Sequence, residues 1–485
     1  MAIRGGPMKH AFSAPEHTPE THPGTGLAPS LPASRLARLS MLKRFERRLV
    51  RRLLSSIGDP PIAVVLWNGE EIAPVETADQ ERPRVVIHSR PTLWRVLLDP
   101  FFEFPERYAD GQIEVEGDLG RLMWHIDRCA SQSPRASRWF TLWSRMFHWA
   151  RRNTLAGSKG NIHHHYDVGN DFYRLWLDEN LLYSCAYFEE PSTSLERAQL
   201  AKMDHVCRKL WLRPGETVIE AGCGWGAFAL HMAKHFGVRV RAYNISSEQI
   251  AEARRRAREE KLEDRVEFIL DDWRNITGQC DVFVSVGMLE HVGVANYRRL
   301  GAVIDRCLSS DGRGLVHSIG RNQPQPMDSW TERRIFPGAY PPSPREMASV
   351  FEPHDFSILD VENLRLHYAE TLRHWLTRFE KSLESVQSTY GERFTRTWRM
   401  YLASAIAAFD TGSLQLFQVL FARPQLNELP RTRSYQYAHL NVRQGQREQR
   451  LETFALAICD GALRERNASM RFPSRAASVA SERAE

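Results

Sequence analysis

Residues 218–226 read Val-Ile-Glu-Ala-Gly-Cys-Gly-Trp-Gly, a short apolar run that breaks into glycines at 222, 224 and 226. That pattern predicts a buried strand turning sharply beyond its carboxyl end, where open α/β sheets bind ligands. Gly222, Gly224 and Gly226 could hold a nucleoside or a dinucleotide phosphate, or simply make a tight turn. Further along, Asp271-Asp272-Trp273, Gly287-Met288-Leu289-Glu290-His291 and His317-Ser318-Ile319-Gly320 each follow an apolar run. Asp272 could accept from a ring amino group while Trp273 stacks on the ring, or the pair could be an exposed turn. Glu290 and His291 put a carboxylate and an imidazole at the sheet's mouth, although a structural ion pair would also explain Glu290. Asn244 ends another apolar run, where an acidic residue often accepts the ribose hydroxyls; Asn244 does so less strongly, and Gln249 can share the task.

Upstream lie His163-His164-His165-Tyr166-Asp167-Val168-Gly169-Asn170-Asp171-Phe172-Tyr173 and Tyr183-Ser184-Cys185-Ala186-Tyr187-Phe188. Adjacent histidines do not readily converge on one ion, so no metal is expected. Cys185 is either a nucleophile or a buried inert thiol, and no neighbour suggests a lowered pKa. Glu220, two residues before the first glycine, favours a methyl donor over a dinucleotide as the ligand.

The elements that must position these residues follow from periodicity. Helix Leu195–Trp211, strand Thr217–Ala221, helix Ala227–Phe236, strand Val238–Tyr243, helix Ser247–Lys261 and strand Val266–Leu270 alternate. Strand Val282–Val286, helix Ala295–Leu308 and strand Gly314–His317 continue the series. This predicts an α/β fold with a doubly wound, mostly parallel sheet. Residues 363–409 read as a long helical, aromatic-rich insertion, and Leu414–Phe421 as a last strand. A small α+β domain is expected before the sheet, with strands at Ile62–Trp67, Arg84–His88 and Gly111–Glu116 and a helix at Thr92–Leu98.

The chain has 485 residues, 42% hydrophobic and 26% charged, which suits two domains and tails. The expected division is a disordered tail 1–34, a small lipid-associating domain 35–134, a connector 135–160, a catalytic domain 161–423 and a polar tail 424–485. No secretory signal or membrane-length apolar run is read, and seven cysteines without a CxxC pair suit a reducing cytoplasm. A net charge of +6 suggests an anionic partner. Arg35, Arg38, Lys43, Arg44, Arg47, Arg48, Arg51 and Arg52 interleave with Leu36, Leu39, Leu42, Phe45, Leu49 and Leu53. That is a basic amphipathic helix suited to peripheral contact with an anionic membrane surface, or a docked helix with a solvated cationic face. No nucleic-acid partner is expected, because no aromatic stacking platform accompanies it.

Together HYDVGNDFY (165–173), YSCAYF (183–188), EAGCGWG (220–226), SVGMLEHVG (285–293) and HSIG (317–320) closely resemble the cyclopropane-fatty-acyl-phospholipid synthases, a family that includes mycolic acid methyltransferases. The likeness covers about 161–423 and extends weakly to Arg107-Tyr108-Ala109-Asp110-Gly111. It implies a class I methyltransferase that alkylates the cis double bond of an acyl chain in a membrane phospholipid, with S-adenosylmethionine as cofactor. The resulting carbocation loses a proton to bound bicarbonate as the cyclopropane ring closes. Carried over by position, the bicarbonate pocket is Cys185 and Ile319 through their backbones, with Glu290, His317 and Tyr368. The cofactor shell is Tyr183, Ser184, Gly222, Gly224, Gly226, Asn244, Gln249, Asp272 and Trp273. Ala405 stands where relatives carry a cysteine, which argues against covalent cysteine catalysis, and Asn244 stands where they usually have threonine. A methylene- or methyl-branched product remains the alternative, as does a non-lipid small molecule, although Glu290-His291 lacks the Asn/Asp-Pro-Pro-aromatic signature of amino-methylating enzymes. The implied location is cytoplasmic, peripheral at the inner membrane face, and the N-terminal domain allows a homodimer.

Overall fold

The computed structural model describes residues 33–73, 82–133 and 169–437. The first tail, the connector, the His163–His165 triplet and the chain beyond Tyr437 therefore lie outside the described residues. Contacts gather the chain into two compact units, Met1–Leu53 and Leu54–Glu485. Most of the basic helix, Ala33–Ser56, falls in the first, where the leucine and arginine spacing placed it.

In the second unit, β1 (Ala63–Val65), β2 (Glu71–Ile72), β3 (Arg84–Ile87) and β4 (Ile113–Glu116) form a small sheet in the order β2-β1-β3-β4. Two helices beside it, Pro100–Ala109 and Leu119–Gln132, went unpredicted. Asp99 ends helix Arg90–Leu98 and caps the next, accepting from the N–H of Phe102 with Pro100 in the first turn. This small lobe and the large sheet fall within one compact unit. Arg334 reaches Glu106 at 2.8 Å, and Arg396 donates to the carbonyls of Tyr108 and Ile113. Ser413 donates to Asp127 at 2.7 Å.

The large sheet contains β5 (Thr217–Ala221), β6 (Arg239–Asn244), β7 (Val266–Leu270), β8 (Cys280–Val286), β9 (Leu308–Gly320), β10 (Ser357–Asn363) and β11 (Gln415–Ala422). Their order is β10-β11-β9-β8-β5-β6-β7. Strands β5 to β9 pair in parallel, and β11 is antiparallel between β9 and β10. Successive residues face opposite sides. Val218, Val282 and Leu315 pack with Met203 and Leu230, while Ile219, Phe283 and Val316 pack with Leu300 and Val350. Helices therefore cover both faces, which is why these strands read as nearly continuous apolar runs. Between β10 and β11 the chain forms helices Arg365–Lys381, Leu383–Tyr390 and Glu392–Thr411, the expected insertion.

Three details differ from expectation. Strand β9 begins six residues early, at Leu308 rather than Gly314. Edge strand β10 was not predicted, because Ile358, Leu359 and Val361 are exposed and no buried alternation marks it. Residues 424–437 are folded rather than tail: the Gln436 carbonyl accepts from His205 Nδ1 at 3.3 Å and Arg208 Nε at 2.9 Å. Among the described residues no helix is long and apolar enough to cross a membrane.

Candidate active site

The three glycines after β5 have different tasks. Gly222, at φ +88, and Cys223 both donate their N–H groups to the Tyr243 carbonyl at 2.9 and 3.1 Å, folding the turn against β6. Gly224, at φ +52, has open space where a Cβ would stand. Gly226, expected in the cofactor shell, does not line the cleft. A Cβ there would lie 2.6 Å from Phe268 Cζ and 2.7 Å from Ala253 Cβ, so this position is set by close packing of helix Ala227–Phe236 on the sheet.

Beyond the carboxyl ends of β5 to β8 the turn opens into a cleft of about 1140 Å³, solvent mouth included. Tyr183, Ser184, Gly222, Gly224, Asn244, Gln249, Asp272 and Trp273 all line it, as the sequence placed them. Two of these have structural work as well. Asn244 donates through Nδ2 to the Gly224 carbonyl at 3.1 Å and to Gln249 Oε1 at 2.8 Å, while its Oδ1 accepts from the N–H groups of Ile245 and Ser246. It braces the glycine turn against helix Ser247–Glu259 and holds Gln249 by its oxygen. Asp272 accepts from the backbone of Arg274 at 2.9 Å and from its guanidinium at 2.9 and 3.0 Å. That guanidinium also lies 4.7 Å from the Trp273 ring centre.

The Tyr183–Phe188 segment is strapped between two helices. Gln199 donates to the carbonyls of Leu182 and Ser184, and Ala186 donates to Thr371 Oγ1 at 3.0 Å. Phe188 donates to His367 Nδ1 at 3.0 Å, and the hydroxyls of Tyr183 and Tyr401 meet at 2.8 Å. Asn170, within the HYDVGNDFY motif, accepts from the Trp225 indole at 2.7 Å and so ties helix Asn170–Arg174 to the glycine turn. Gln199 and Lys202 were missed in the sequence. Their signal was polar residues on the buried stripe of helix Leu195–Lys209, four and seven positions after Leu195.

The five candidate catalytic residues sit outside the lining of this cleft. Glu290, 5% exposed, follows β8 and accepts from the Ile319 N–H at 2.5 Å; its Oε2 is buried without a partner. Burial pushes its carboxyl up to about 7, against the lowering pull of the Ile319 N–H and the Ser318 hydroxyl. His317 is held neutral, pushed down to about 3 by burial and by the charges of Lys202 and Lys209. Gln418 Nε2 donates to its Nδ1 at 3.1 Å, which puts the ring hydrogen on Nε2. Tyr368 is nearly buried, its ring 4.6 Å from Phe409 and 5.9 Å from Trp375. Cys185 is buried with its Sγ 3.9 Å from the Leu364 carbonyl, at the start of the helix that carries Tyr368. The structure thus bonds Glu290 to Ile319 and sets Cys185 beside the Tyr368 helix. Glu290 and His317 do not bond each other, and each keeps a polar atom for a third group.

Desolvation drives the Cys185 thiol far above its ordinary range, so it is no nucleophile at neutral pH. Cys185→Ser is therefore expected to keep turnover within about threefold of the parent, and iodoacetamide to leave the folded enzyme active. Loss of more than tenfold in steady-state turnover would contradict this.

Residues 154–419 match the family described as mycolic acid cyclopropane synthetase. The chain is 35% identical over 398 residues to a probable fatty acid methyltransferase of Pseudomonas putida, covering 78% of this chain and 96% of that one. It is 41% identical over 266 residues to the cyclopropane-fatty-acyl-phospholipid synthase of Escherichia coli, covering 55% and 68%. Among solved structures, a mycolic acid cyclopropane synthase complexed with S-adenosylhomocysteine aligns with a TM-score of 0.52 at 28% identity, covering 54% of this chain and 98% of that one.

Proposed function

The chain belongs to the mycolic acid cyclopropane synthetase family of S-adenosylmethionine-dependent methyltransferases, and from that premise we propose that it cyclopropanates unsaturated acyl chains of membrane phospholipids. The observation that carries the reading is Glu290, a buried carboxyl with an unpartnered oxygen beside a strand end bearing a neutral histidine. S-adenosylmethionine supplies an electrophilic methyl, and attack by the alkene leaves a cation on the acyl chain. The protein's share is to aim that methyl, keep water from the cation and hold a base.

An acceptor at Glu290 Oε2 and a donor at His317 Nε2 suit a small ion that both donates and accepts, which fits bicarbonate. In this reading Glu290 would accept from it, His317 Nε2 and the Tyr368 hydroxyl would donate to it, and the backbones of Cys185 and Ile319 would complete the pocket. Held there, it would supply the base for the proton of the added methyl, with Glu290, His317 and Tyr368 fixing its position. Around the cation, Tyr368, Trp375, Phe409 and their neighbours form aromatic walls with few competing nucleophiles.

The test is mass spectrometry and NMR of phospholipid acyl chains after incubation with S-adenosylmethionine and cis-unsaturated vesicles. A gain of one CH₂ with loss of the alkene supports cyclopropanation; an unchanged lipid overturns it. A second reading, ending in a methylene or methyl branch, is favoured by one observation: the relative matching 78% of this chain is named a fatty acid methyltransferase. The same mass gain with a retained alkene would identify the methylene branch.

The basic helix supports peripheral binding at the cytoplasmic face of the inner membrane. Arg44, Arg47, Arg48 and Arg51 are all exposed on it. Each cation near an anionic surface contributes about 1 kcal/mol at physiological salt. Neutralising all four is expected to weaken binding to anionic vesicles roughly 1000-fold, and salt should erase the difference. Vesicle co-sedimentation indifferent to these charges would reduce the helix to a structural element.

A further inference from the structure

Lys202 lies in the middle of helix Leu195–Lys209, only 2% exposed, and lines the cofactor cleft. Its Nζ donates to Ser184 Oγ at 3.1 Å and, among the described residues, forms no ion pair with a carboxylate. Asp178, the acid whose charge it feels most, is occupied: its oxygens accept the N–H groups of Asn180 and Leu182 at 3.0 and 2.8 Å. The other acid in its field, Glu220, lines the same cleft, is 2% exposed, and has an Oε2 without a hydrogen-bond partner.

A buried ammonium with a single hydroxyl acceptor is costly unless an anion reaches it, and a buried carboxylate oxygen without a donor is costly in the same way. Lys202 and Glu220 facing one cleft are complementary to a zwitterion, whose ammonium would draw Glu220, pushed up to about 8 by burial, into its charged form. The placement agrees. Glu220 is the last residue but one of β5, beside the glycine turn, and Lys202 faces the Ser184 loop, whereas Asp272 and Trp273 stand two strands away after β7. A nucleoside ring at β7 leaves the amino-acid end of the same molecule at β5. Ser184 accepts from Lys202, so its own hydroxyl hydrogen remains for an acceptor in the cleft.

We propose that Lys202, seconded by Ser184, recognises the carboxylate at the methionine end of the cofactor, with Glu220 facing its amino group, and so sets selectivity for the intact amino-acid moiety. The proposal rests on S-adenosylmethionine as the cofactor. It makes Lys202 a binding residue whose loss is felt in affinity before chemistry. A role confined to holding the Ser184 loop makes a different prediction, because a loosened loop weakens every ligand of the cleft alike.

The test is calorimetry of three probes on the full-length protein: S-adenosylhomocysteine, its decarboxylated analogue and 5′-methylthioadenosine, which lacks the amino-acid end. The wild type is expected to bind S-adenosylhomocysteine about 30-fold tighter than the decarboxylated analogue, as for a charge-assisted contact. Lys202→Met is expected to lose that preference, weakening S-adenosylhomocysteine about 30-fold while leaving the other two within threefold. Equal weakening of all three, or of none, overturns the proposal. So does unchanged S-adenosylhomocysteine affinity with a lost response of turnover to added bicarbonate, which would assign the ammonium to the other anion. If Lys202→Met does not fold, the wild-type comparison decides, since equal affinity for the carboxylated and decarboxylated probes overturns the proposal alone. Wild type that binds 5′-methylthioadenosine but not S-adenosylhomocysteine condemns the Lys202 assignment only; wild type that binds none of the three condemns the cofactor assignment as well.

Discussion

Glu290→Gln is expected to abolish turnover while leaving S-adenosylmethionine bound and the protein more stable above neutral pH. The amide keeps the shape and still accepts from the Ile319 N–H, but Oε2 is replaced by a donor where the proposed ion needs an acceptor. A positioned acid–base partner of this kind contributes about 10²- to 10⁴-fold, so a fall of at least 100-fold in kcat is expected. Two further readouts separate this from simple damage. Burial pushes the Glu290 carboxyl up to about 7, and the charged form is the acceptor, so kcat/KM of the parent should rise with pH through about 7. That limb should vanish in the variant. The sign for stability is opposite. A carboxyl with a raised folded pKa favours the fold most below its ordinary range of about 4.5, and that contribution is lost as pH climbs to about 7. The glutamine variant carries no such burden, so its melting temperature at pH 8 should exceed the parent's. Turnover within threefold of the parent would remove Glu290 from the mechanism.

Gly226→Ala is expected to be far more damaging than the same change two residues earlier, at Gly224. Its φ of +82 already disfavours any side chain, and the added Cβ would sit 2.6 Å from Phe268 Cζ and 2.7 Å from Ala253 Cβ. Neither neighbour can yield freely, since Phe268 is on β7 and Ala253 is fully buried on helix Ser247–Glu259. Overpacking and backbone strain together should cost about 3 kcal/mol or more, a large share of the stability of a typical domain, and lower the melting temperature markedly. Gly224→Ala is the control. At φ +52 with open space beyond, it should cost about 1 kcal/mol and act mainly on cofactor KM. If thermal melts rank the two in reverse, the division of labour among these glycines is wrong.

These glycines show what a sequence discloses and what it withholds. The alternation at 222, 224 and 226 announces a turn after a strand, and Thr217–Ala221 is read correctly to the residue. It does not say which glycine faces a ligand and which faces Phe268, because that depends on a strand some forty residues further on. Buried parallel strands were legible because both faces are apolar; β10 was not, because an exposed edge strand need not alternate. The same limit hid Lys202. A lysine in a helix normally counts as solvent-facing, and only its register on the stripe of Leu195, Gln199 and Val206 points it inward. Asp272 shows the converse case, a cleft-lining residue read as a ligand contact that also has a local task, since its bond to Arg274 is a contact that composition cannot rank above a ligand.

The position of β11 fixes the order in which the enzyme can be completed during its synthesis. The strand made last, residues 415–422, is not last in space but fills the slot between β9 and β10. While the ribosome is still translating the helices of the insertion, β5 to β9 can already pair, and the glycine turn can form. The β9 edge that bears His317 stays bare until Gln418 arrives to meet its Nδ1. A nascent chain can therefore shape the cleft beyond β5 to β8 well before the proposed pocket around Glu290 and His317 is complete.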